Sequence, residues 1–292
     1  AAQGRGDLAD LSGAIAADPL GALAETGALP RPLETAYDDM AAVARWAAGA
    51  APRLATVAVR VGPYHEAGAE AVQELAIALA TGVAYLRAMI ARGLDADTAA
   101  RAIAFDFAIG GQFFMEAAKL RAARLLWAQV TAAFGATAAG APPLHAHTAL
   151  RNKSALDPHV NMLRATTEAL AAAVGGAESL CVVPFDAPVR APDDFSRRVA
   201  RNVQIILQDE AHLKRLIDPA GGSYAVERLT DELARAAWAL FQDIERRGGL
   251  AAALDDGSLA AAVAAVADKR AAALAKRREV MVGVNQFANP AE

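Results

Sequence analysis

The sequence has a single cysteine, Cys181, in 292 residues, and aromatic residues make up only 5% of it. One cysteine excludes a disulfide framework within the chain and any zinc site built from several cysteines. Basic residues are not in excess either, because 29 lysines and arginines stand against 33 aspartates and glutamates, without a basic stripe. A nucleic-acid-binding surface needs clustered positive charge, so no nucleic-acid partner is expected.

Long uninterrupted apolar runs are also missing. Arg, Glu, Asp or Thr interrupts every run before the roughly 18 residues that a membrane-spanning helix needs. The first residues, AAQGRGDLADLSG, lack the charged start and apolar stretch of a signal peptide. The composition is 55% hydrophobic with a net charge of −4, which is typical of a folded protein and not of a disordered one. We expect a cytoplasmic protein without a membrane partner.

Short β-branched runs alternate along the chain with long alanine-rich segments of helical spacing. Strands are predicted in five places: Leu11–Ile15, Ala55–Val61, Ala102–Ala108, Pro143–Thr148 and Glu178–Val183. No Asn-Gly or Asp-Gly hairpin turn joins two of them, so the alternation predicts parallel βαβ units. Such a sheet is either doubly wound or a (β/α)₈ barrel. The phosphate-binding patterns G-x-G-x-x-G in the first βα turn and G-x-x-x-x-G-K-[ST] are absent, which favours the barrel.

Helices are predicted between and after the strands, several of them ending at a glycine. The predicted segments are Leu33–Gly49, Glu66–Ala91, Gln112–Phe134, Asn161–Val174, Val199–Glu210, Thr230–Arg247 and Leu250–Arg278. In the first segment the spacing places Leu33, Met40, Val43 and Trp46 near one face of the helix. We expect that face to be buried, because apolar side chains at helical spacing normally face the core.

Several long stretches carry a family resemblance. The most telling are DPHVNMLRATTEALAAAVGGAESL (157–180), DDFSRRVARNVQIILQDEAHLKRLIDPAGGSY (193–224) and EVMVGVNQF (279–287). The stretches GQFFMEAAKLRAARLLWAQV (111–130) and HEAGAEAVQELA (65–76) fit the same pattern. On these residues the chain, from about Leu11 to Phe287, resembles the acyl-CoA mutases that use adenosylcobalamin, methylmalonyl-CoA mutase above all.

The resemblance implies a (β/α)₈ barrel that holds the CoA ester along its axis, and a separate domain that carries the corrin. Residues 1–250 are expected to form the later part of the barrel. Residues 251–292 are expected to be a helical extension and the start of a linker toward a cobalamin-binding domain that this sequence does not include. The expected fold class is therefore α/β, a partial TIM (β/α)₈ barrel with about five parallel strands and covering helices. Because five strands cannot close such a barrel, Val57, Ile103 and Phe105 are expected on an open, apolar inner face.

Positions that the resemblance assigns to the active site carry other residues in this chain. A family Gln is Ala16 here, two Arg positions are Thr26 and Ala102, and a His beside the substrate carbonyl is Pro63. Alanine cannot clamp a carboxylate as arginine does, and proline has no imidazole for a thioester oxygen. No catalytic residue is therefore expected, and the chain looks most like the non-catalytic small subunit of heterodimeric methylmalonyl-CoA mutases.

The resemblance also implies a partner, namely a catalytic subunit that binds the acyl-CoA and interconverts methylmalonyl-CoA and succinyl-CoA. Adenosylcobalamin is expected in that assembly and not on this chain alone, because the cobalt-ligating pattern Asp-x-His-x-x-Gly does not occur in the sequence. Two alternatives stay open. One is a barrel fragment of an active mutase for a different acyl-CoA, and the other is a stand-alone interaction module derived from the mutase fold.

Three residues are candidate contacts on this chain. Glu66 matches a family carboxylate on the corrin side and is the candidate cofactor contact. His145 matches a family histidine and His147 stands at a family glutamine, so both are candidate substrate contacts. We expect these two histidines to face opposite sides of their strand and not to share a metal ion. No metal site is expected.

Other polar residues favour a structural interpretation. Tyr64 and His65, directly before Glu66, could be a displaced acid–base pair, but a loop whose polar groups satisfy the backbone is the favoured interpretation. His159 and His212 are expected to be surface or packing residues. Cys181 lies in an apolar strand and is expected to be inert packing.

Overall fold

A computed structural model describes residues 7–288, in which five strands form one sheet. The strands are β1 (Gly13–Ala17), β2 (Leu54–Arg60), β3 (Ile103–Ile109), β4 (Leu144–Thr148) and β5 (Ser179–Cys181). They lie in sequence order, and each neighbouring pair is parallel. The sheet curls into half of a barrel, which confirms the predicted fold class and the strand count.

Eleven α-helices in the described residues connect and cover these strands. They are α1 (Pro19–Thr26), α2 (Leu33–Ala50), α3 (Gly62–Ala67), α4 (Ala71–Ala91), α5 (Ala96–Arg101), α6 (Phe113–Ala133), α7 (Val160–Val174), α8 (Asp194–Ile205), α9 (Tyr224–Arg246), α10 (Gly249–Asp255) and α11 (Ser258–Ala275). Short 3₁₀ turns occupy Leu8–Asp10 and Leu213–Arg215, and a π turn, Ile206–Glu210, continues α8.

The predicted helix Glu66–Ala91 is two helices in the structure. Gly68 ends α3 with a φ of 114°, a left-handed conformation that glycine adopts without strain. Glu70 then starts α4 with a capping box, in which its side chain and that of Gln73 satisfy each other's backbone N–H groups. The sequence analysis also missed the short helices α1 and α5, which begin at the caps Asp18 and Asp95.

The outer face of the sheet carries the main hydrophobic core. Val57, Ile103 and Phe105 are at most 2% exposed and pack under the helices. The ring of Phe105 meets that of Trp127 on α6 edge to face, with centroids 4.9 Å apart. The prediction that these three side chains lie on an open inner face is therefore wrong. Alternate residues of a strand face the same side. These three side chains point toward the helices, because the apolar partners lie on that side.

The buried face of α2 also differs from the prediction. Trp46 is 48% exposed and Val43 is 38% exposed, whereas Met40 is buried as predicted. Alanines such as Ala41 and Ala44 occupy the contact surface instead. A small side chain lets the helix approach the sheet closely, so in an alanine-rich helix the largest apolar residue does not mark the core-facing side.

Helix α4 is the one α-helix among residues 7–288 that is by itself long and apolar enough to cross a membrane. Its best window has a mean hydropathy of 1.5, and 78% of that window is buried inside the protein. The bent pair α10 and α11 passes the same test only if taken as one span. Because α4 lies between the sheet and α9, its apolar character is that of a core helix. Helix α4 was not detected from the sequence, because polar residues interrupt its apolar run.

The inner face of the sheet is lined by small and polar side chains. Thr56 and Arg60 of β2, Asp106 of β3, and His145 and His147 of β4 point to this side, opposite the core cluster. The prediction that the two histidines face opposite sides is wrong, because residues two apart in a strand share a face.

Helices α9, α10 and α11 follow the last strand and pack back onto the barrel half. Helix α9 lies across α4 and α6, and α11 contacts α3. The contact with α3 is close, since a Cβ on Gly68 would stand 2.5 Å from the Cβ of Ala267. Leu250 and Val263 belong to the same hydrophobic cluster as the sheet. The division at residue 250 stays a prediction.

Candidate functional site

A cavity lies at the carboxyl ends of β2, β3 and β4, between the inner face and α11. We call it the mouth cavity, and its volume is about 720 Å³. Its polar lining consists of Glu25, Arg60, Tyr64, Glu66, Asp106 and His147, and α11 closes one side with Leu259 and Val263. Carboxyl ends of parallel strands are where active sites of (β/α)₈ barrels are built.

Arg60 is the one arginine or lysine that lines the mouth cavity in the described part of the chain, and carboxylates surround it. Its Nε donates to Oδ2 of Asp18 at 3.1 Å. Its Nη2 donates to Oε2 of Glu25 at 2.8 Å, and Nη1 to Oε1 at 3.4 Å, so that guanidinium and carboxylate meet through two pairs of atoms. The donors of Arg60 are thus directed at this chain's own side chains.

Asp18 is held by buried groups from two other elements. Tyr85 on α4 donates its hydroxyl to Oδ1 of Asp18, and the amide N–H groups of Gly21 and Arg60 donate to the same carboxylate. Burial raises the pKa of Asp18 above its ordinary value even though these donors and the Arg60 charge act to lower it. Asp18 therefore joins α1, β2 and α4 at the edge of the cavity.

His147 and Asp106 form a second internal pair in the mouth cavity. Nδ1 of His147 lies 3.0 Å from Oδ1 of Asp106 on the neighbouring strand. Burial acts to lower the pKa of His147, but Asp106 and then Glu66 outweigh it, and the pKa lies above the ordinary value. The absence of a side chain at Gly62 makes room for this ring, since a Cβ there would stand 2.8 Å from Cε1 of His147.

Glu66 lies on α3 and lines the mouth cavity. Its Oε1 accepts the backbone N–H of Leu150 at 2.8 Å, so the carboxylate joins α3 to the loop after β4. His145 lies one layer deeper on β4, where its Nδ1 contacts the hydroxyl of Ser179 on β5 and its Nε2 has no partner among the described residues. The structure therefore brings Glu66 and His147 together at the mouth but leaves His145 out of the lining.

Comparison with known proteins identifies the family. The family model described as methylmalonyl-CoA mutase matches residues 1–292. The chain belongs to the methylmalonyl-CoA mutase family.

Curated relatives agree with the family match. The methylmalonyl-CoA mutase small subunit of Streptomyces virginiae is 48% identical over 275 residues, which are 94% of this chain and 44% of the relative. The methylmalonyl-CoA mutase of Cereibacter sphaeroides is 40% identical over 281 residues, 96% of this chain and 40% of that protein. The small subunit from Porphyromonas gingivalis is 41% identical over 241 residues, 82% of this chain and 39% of the relative. The chain thus spans less than half the length of these mutase relatives.

The four positions to which the resemblance assigned other residues have ordinary structural settings. Pro63 lies in α3 and is the one of the four that lines the mouth cavity in residues 7–288. Ala16 is exposed on the edge strand β1, and Ala102 is buried directly before β3. The hydroxyl of Thr26 donates to the carbonyls of Ala22 and Ala28 at the end of α1. Because positions 26 and 102 carry Thr26 and Ala102, no arginine at either position balances the negative charges of Glu25, Glu66 and Asp106.

The residues at the mouth offer little that could hold a corrinoid on this chain. Nδ1 of His147, which lines the cavity, and Nδ1 of His65 beside it contact Asp106 and Glu74, and Nε2 of His65 is buried, so Nε2 of His147 is the one nitrogen of these two rings that faces the cavity. Glu66, the predicted cofactor contact, is engaged by the N–H of Leu150. No step is therefore derived through adenosylcobalamin.

The remaining predicted residues lie elsewhere. His159 is exposed, with its ring centroid 5.5 Å from that of Phe185, and His212 adopts a positive φ of 56° on the surface. Cys181 is exposed on β5, so the prediction of buried packing is wrong. It sits on an edge strand, where no further strand in the described residues covers the inner face.

Sequence reasoning missed Arg60, Asp18 with Glu25, and Asp106 as cavity groups. Arg60 is 42 residues from Asp18 and Asp106 is 41 from His147, and no local motif joins residues so far apart. One signal was available, because a charged residue inside an otherwise apolar strand run, as in ATVAVRV and AIAFDFA, marks a side chain that needs a partner.

Proposed function

We propose that this chain is part of the small, non-catalytic subunit of an adenosylcobalamin-dependent methylmalonyl-CoA mutase. In this role it supports a catalytic subunit, which binds the acyl-CoA and interconverts methylmalonyl-CoA and succinyl-CoA. The cofactor belongs to the assembly and not to this chain alone. The proposal includes a heterodimer in the cytoplasm, without nucleic acid or membrane as partners, with residues 1–250 as barrel and 251–292 as a helical extension leading to a linker.

The state of Arg60 is the observation that carries the proposal. A methylmalonyl group carries a carboxylate, which a mutase must hold while water is excluded. The one arginine in the mouth cavity is already bonded to Asp18 and Glu25. Glu66 and Asp106 line the same cavity. An anionic substrate would therefore meet carboxylates and find no unpaired guanidinium.

The names of the relatives support the same role. The proteins from Streptomyces virginiae and Porphyromonas gingivalis are both described as small subunits. The relative from Cereibacter sphaeroides, described simply as the mutase, is less similar at 40% identity against 48% for the Streptomyces protein. This order of similarity favours the supporting subunit over a fragment of an active mutase.

The test compares the full-length protein alone with the same protein co-expressed with the catalytic subunit from the same genome. We expect stoichiometric co-purification and methylmalonyl-CoA isomerisation only when the catalytic subunit is present. Turnover by the homogeneous full-length protein with added adenosylcobalamin would instead support the active-fragment alternative. Failure of the two chains to associate would contradict the subunit role and support a separate interaction module.

A substitution at Arg60 tests whether the barrel of this chain binds substrate within the assembly or is non-catalytic there. Arg60→Gln removes the cavity's guanidinium, and in a silent subunit it leaves kcat of the complex unchanged. In an active barrel, loss of a substrate-clamping arginine would reduce kcat/KM by at least about tenfold. Arg235→Gln, on the exposed face of α9, is the matched control for a change of one charge at the surface.

A further inference from the structure

A second cavity, separate from the mouth cavity, lies at the amino end of α6. Its volume is about 440 Å³, and α3, the start of α4, the loop after β4 and α11 enclose it. We call it the α6 cavity. His65, Gly110, Gly111, Arg151 and Lys269 are the lining residues on which the following inference depends.

The start of α6 faces this cavity with unsatisfied backbone donors. Gln112 is the N-cap and makes no side-chain capping bond, and the first intrahelical bond at this end is donated by Glu116 to Gln112. The N–H groups of the first turn of this 21-residue helix are therefore available. Such an end attracts anions. The absence of a side chain at Gly110 makes room for Glu116 and His65, since a Cβ there would stand 3.0 Å from Oε1 of Glu116 and 3.2 Å from Cε1 of His65.

His65 adds a buried, unpartnered ring nitrogen. Its side chain is 1% exposed, and its Nδ1 lies 2.7 Å from Oε1 of Glu74. Burial acts to raise the pKa of Glu74, but Lys119 and His65 outweigh it and hold that pKa well below the ordinary value. Nδ1 is thus engaged by an ionised carboxylate, and Nε2 is the ring nitrogen left for another group. This Nε2 is buried and has no hydrogen-bond partner among residues 7–288.

Arg151 supplies positive charge without a carboxylate partner. Its Nη1 donates to the carbonyls of His65 at 2.6 Å and Ala69 at 2.8 Å, while its Nε is buried and unpartnered among the described residues. Burial lowers the pKa of Arg151, and the neighbouring charge of Arg270 adds to that effect. An anion beside Arg151 would relieve both costs.

The carboxylates of the α6 cavity are already engaged. Glu74 and Glu116 form ion pairs with the buried Lys119. Glu279 pairs with Arg270, and the side chain of Glu70 caps α4. The exposed Lys269 has no such partner in the described part of the chain, which leaves Arg151 and Lys269 as the cations available to a ligand.

We propose that the α6 cavity binds a phosphate group, as free phosphate or a phosphomonoester. The phosphate oxygens accept the first-turn N–H groups of α6 and face Arg151. A further phosphate oxygen meets Nε2 of His65. This site goes beyond the proposed function, because it uses no residue of the mouth cavity and does not depend on turnover.

Titration calorimetry on the full-length protein tests this proposal. We expect one saturable site for inorganic phosphate. Methyl phosphate is the second probe. Tighter binding than inorganic phosphate assigns the site to a monoester, and weaker binding assigns it to free phosphate. Absence of saturable phosphate binding overturns the proposal.

Variants connect the binding to these residues. Arg151→Gln is expected to weaken phosphate binding by at least about tenfold, since it removes a charge-assisted donor. His65→Gln is expected to weaken phosphate binding by about threefold or more, since it removes the ring nitrogen that faces the phosphate, and the exposed His159→Gln is the matched control. Because Arg151 also satisfies two carbonyls, Lys269→Gln is the second variant if Arg151→Gln does not fold, with about a threefold loss expected. Unchanged binding in Arg151→Gln, or in Lys269→Gln where that variant replaces it, overturns the assignment.

Crystals of the full-length protein soaked in selenate locate the site directly. We expect an anomalous peak at the first turn of α6, beside Arg151. A peak only at other surface positions would overturn the proposed location.

Discussion

The outer and inner faces of the sheet differ in how far their charged side chains are buried. On the outer side, Lys119 is 0% exposed and its Nζ contacts Glu74, Glu116 and the carbonyl of Ala108. On the inner side, Arg60 is 30% exposed at its side chain and its carboxylate partners line or border an open cavity. The outer charges are buried among helices, whereas the inner charges are partly exposed to solvent, with Asp18 as the buried exception.

Because of this difference, a change of charge has a larger cost in stability on the outer face than on the inner face. A buried charge that loses its partner is left without solvation, so the outer network must stay intact for the fold. The inner pairs are partly hydrated and cost less to change, so this face can vary while the outer layers stay the same. That freedom is consistent with a mutase barrel whose mouth carries self-paired side chains.

The largest expected effect comes from breaking the outer network. Lys119→Met leaves Glu74 and Glu116 buried without their cation, and the free energy of unfolding is expected to fall by about 3–5 kcal/mol. The control is Arg235→Met, which breaks a pair with Asp231 exposed on both sides and is expected to cost less than about 1 kcal/mol. Urea unfolding monitored by circular dichroism measures both. Equal losses in the two variants would contradict the comparison.

A smaller effect is expected where the two faces meet. The hydroxyl of Tyr85 donates to Asp18 and accepts the N–H of Leu20 at 2.9 Å. Tyr85→Phe leaves both groups buried and short of one bond, with an expected loss of about 1–3 kcal/mol. Tyr224→Phe is the control, since Tyr224 is 84% exposed. A loss no larger than that of Tyr224→Phe would show that the contact between Tyr85 and Asp18 does not hold α1 to α4.

The smallest effect is expected at His147 and depends on pH. Its pKa is raised in the folded protein, so the pair with Asp106 stabilises the fold below the ordinary histidine pKa of about 6.5. That contribution is lost as the pH rises from there through the raised pKa. For a pair this exposed we expect it to be less than about 1 kcal/mol.

The measurement is the difference in unfolding free energy between the native protein and His147→Gln, taken from pH 6 to pH 9 in steps. The difference is expected to shrink as the pH rises, and His159→Gln, at an exposed histidine, is the matched control. An advantage of the native protein that grows with pH would give the opposite sign and contradict the assigned pair.

The sequence allowed the sheet to be predicted more completely than the site. The strand segment Ala55–Val61 overlaps β2 because an apolar, β-branched run can be buried on both faces of a parallel sheet. The break between α3 and α4 was missed, since alanine-rich helical spacing continues through it and Gly68 is not an obvious helix end. Trp46 was predicted on the buried face of α2 but is exposed, because an alanine-rich helix can pack through more than one of its faces.

Site residues were harder to predict because their partners come from distant parts of the chain. Glu66 and His147 were predicted as cofactor and substrate contacts, and the structure places both in the lining of the mouth cavity, while those roles stay predictions. The sequence did not indicate that Arg60 would be bonded to Asp18 and Glu25, or that Asp106 would meet His147. Local spacing determines which side of a strand a residue occupies, but not which residue of the neighbouring strand lies opposite.

The sequence by itself determined the repeating strand and helix units and the family. Each of these depends on residue type and on spacing along the chain. Only the tertiary structure decided which face of each strand meets the helices and which charges pair across the mouth. Those choices follow from strand register and from the curl of the sheet, which bring Arg60 beside Asp18 and Asp106 beside His147 at hydrogen-bonding distance.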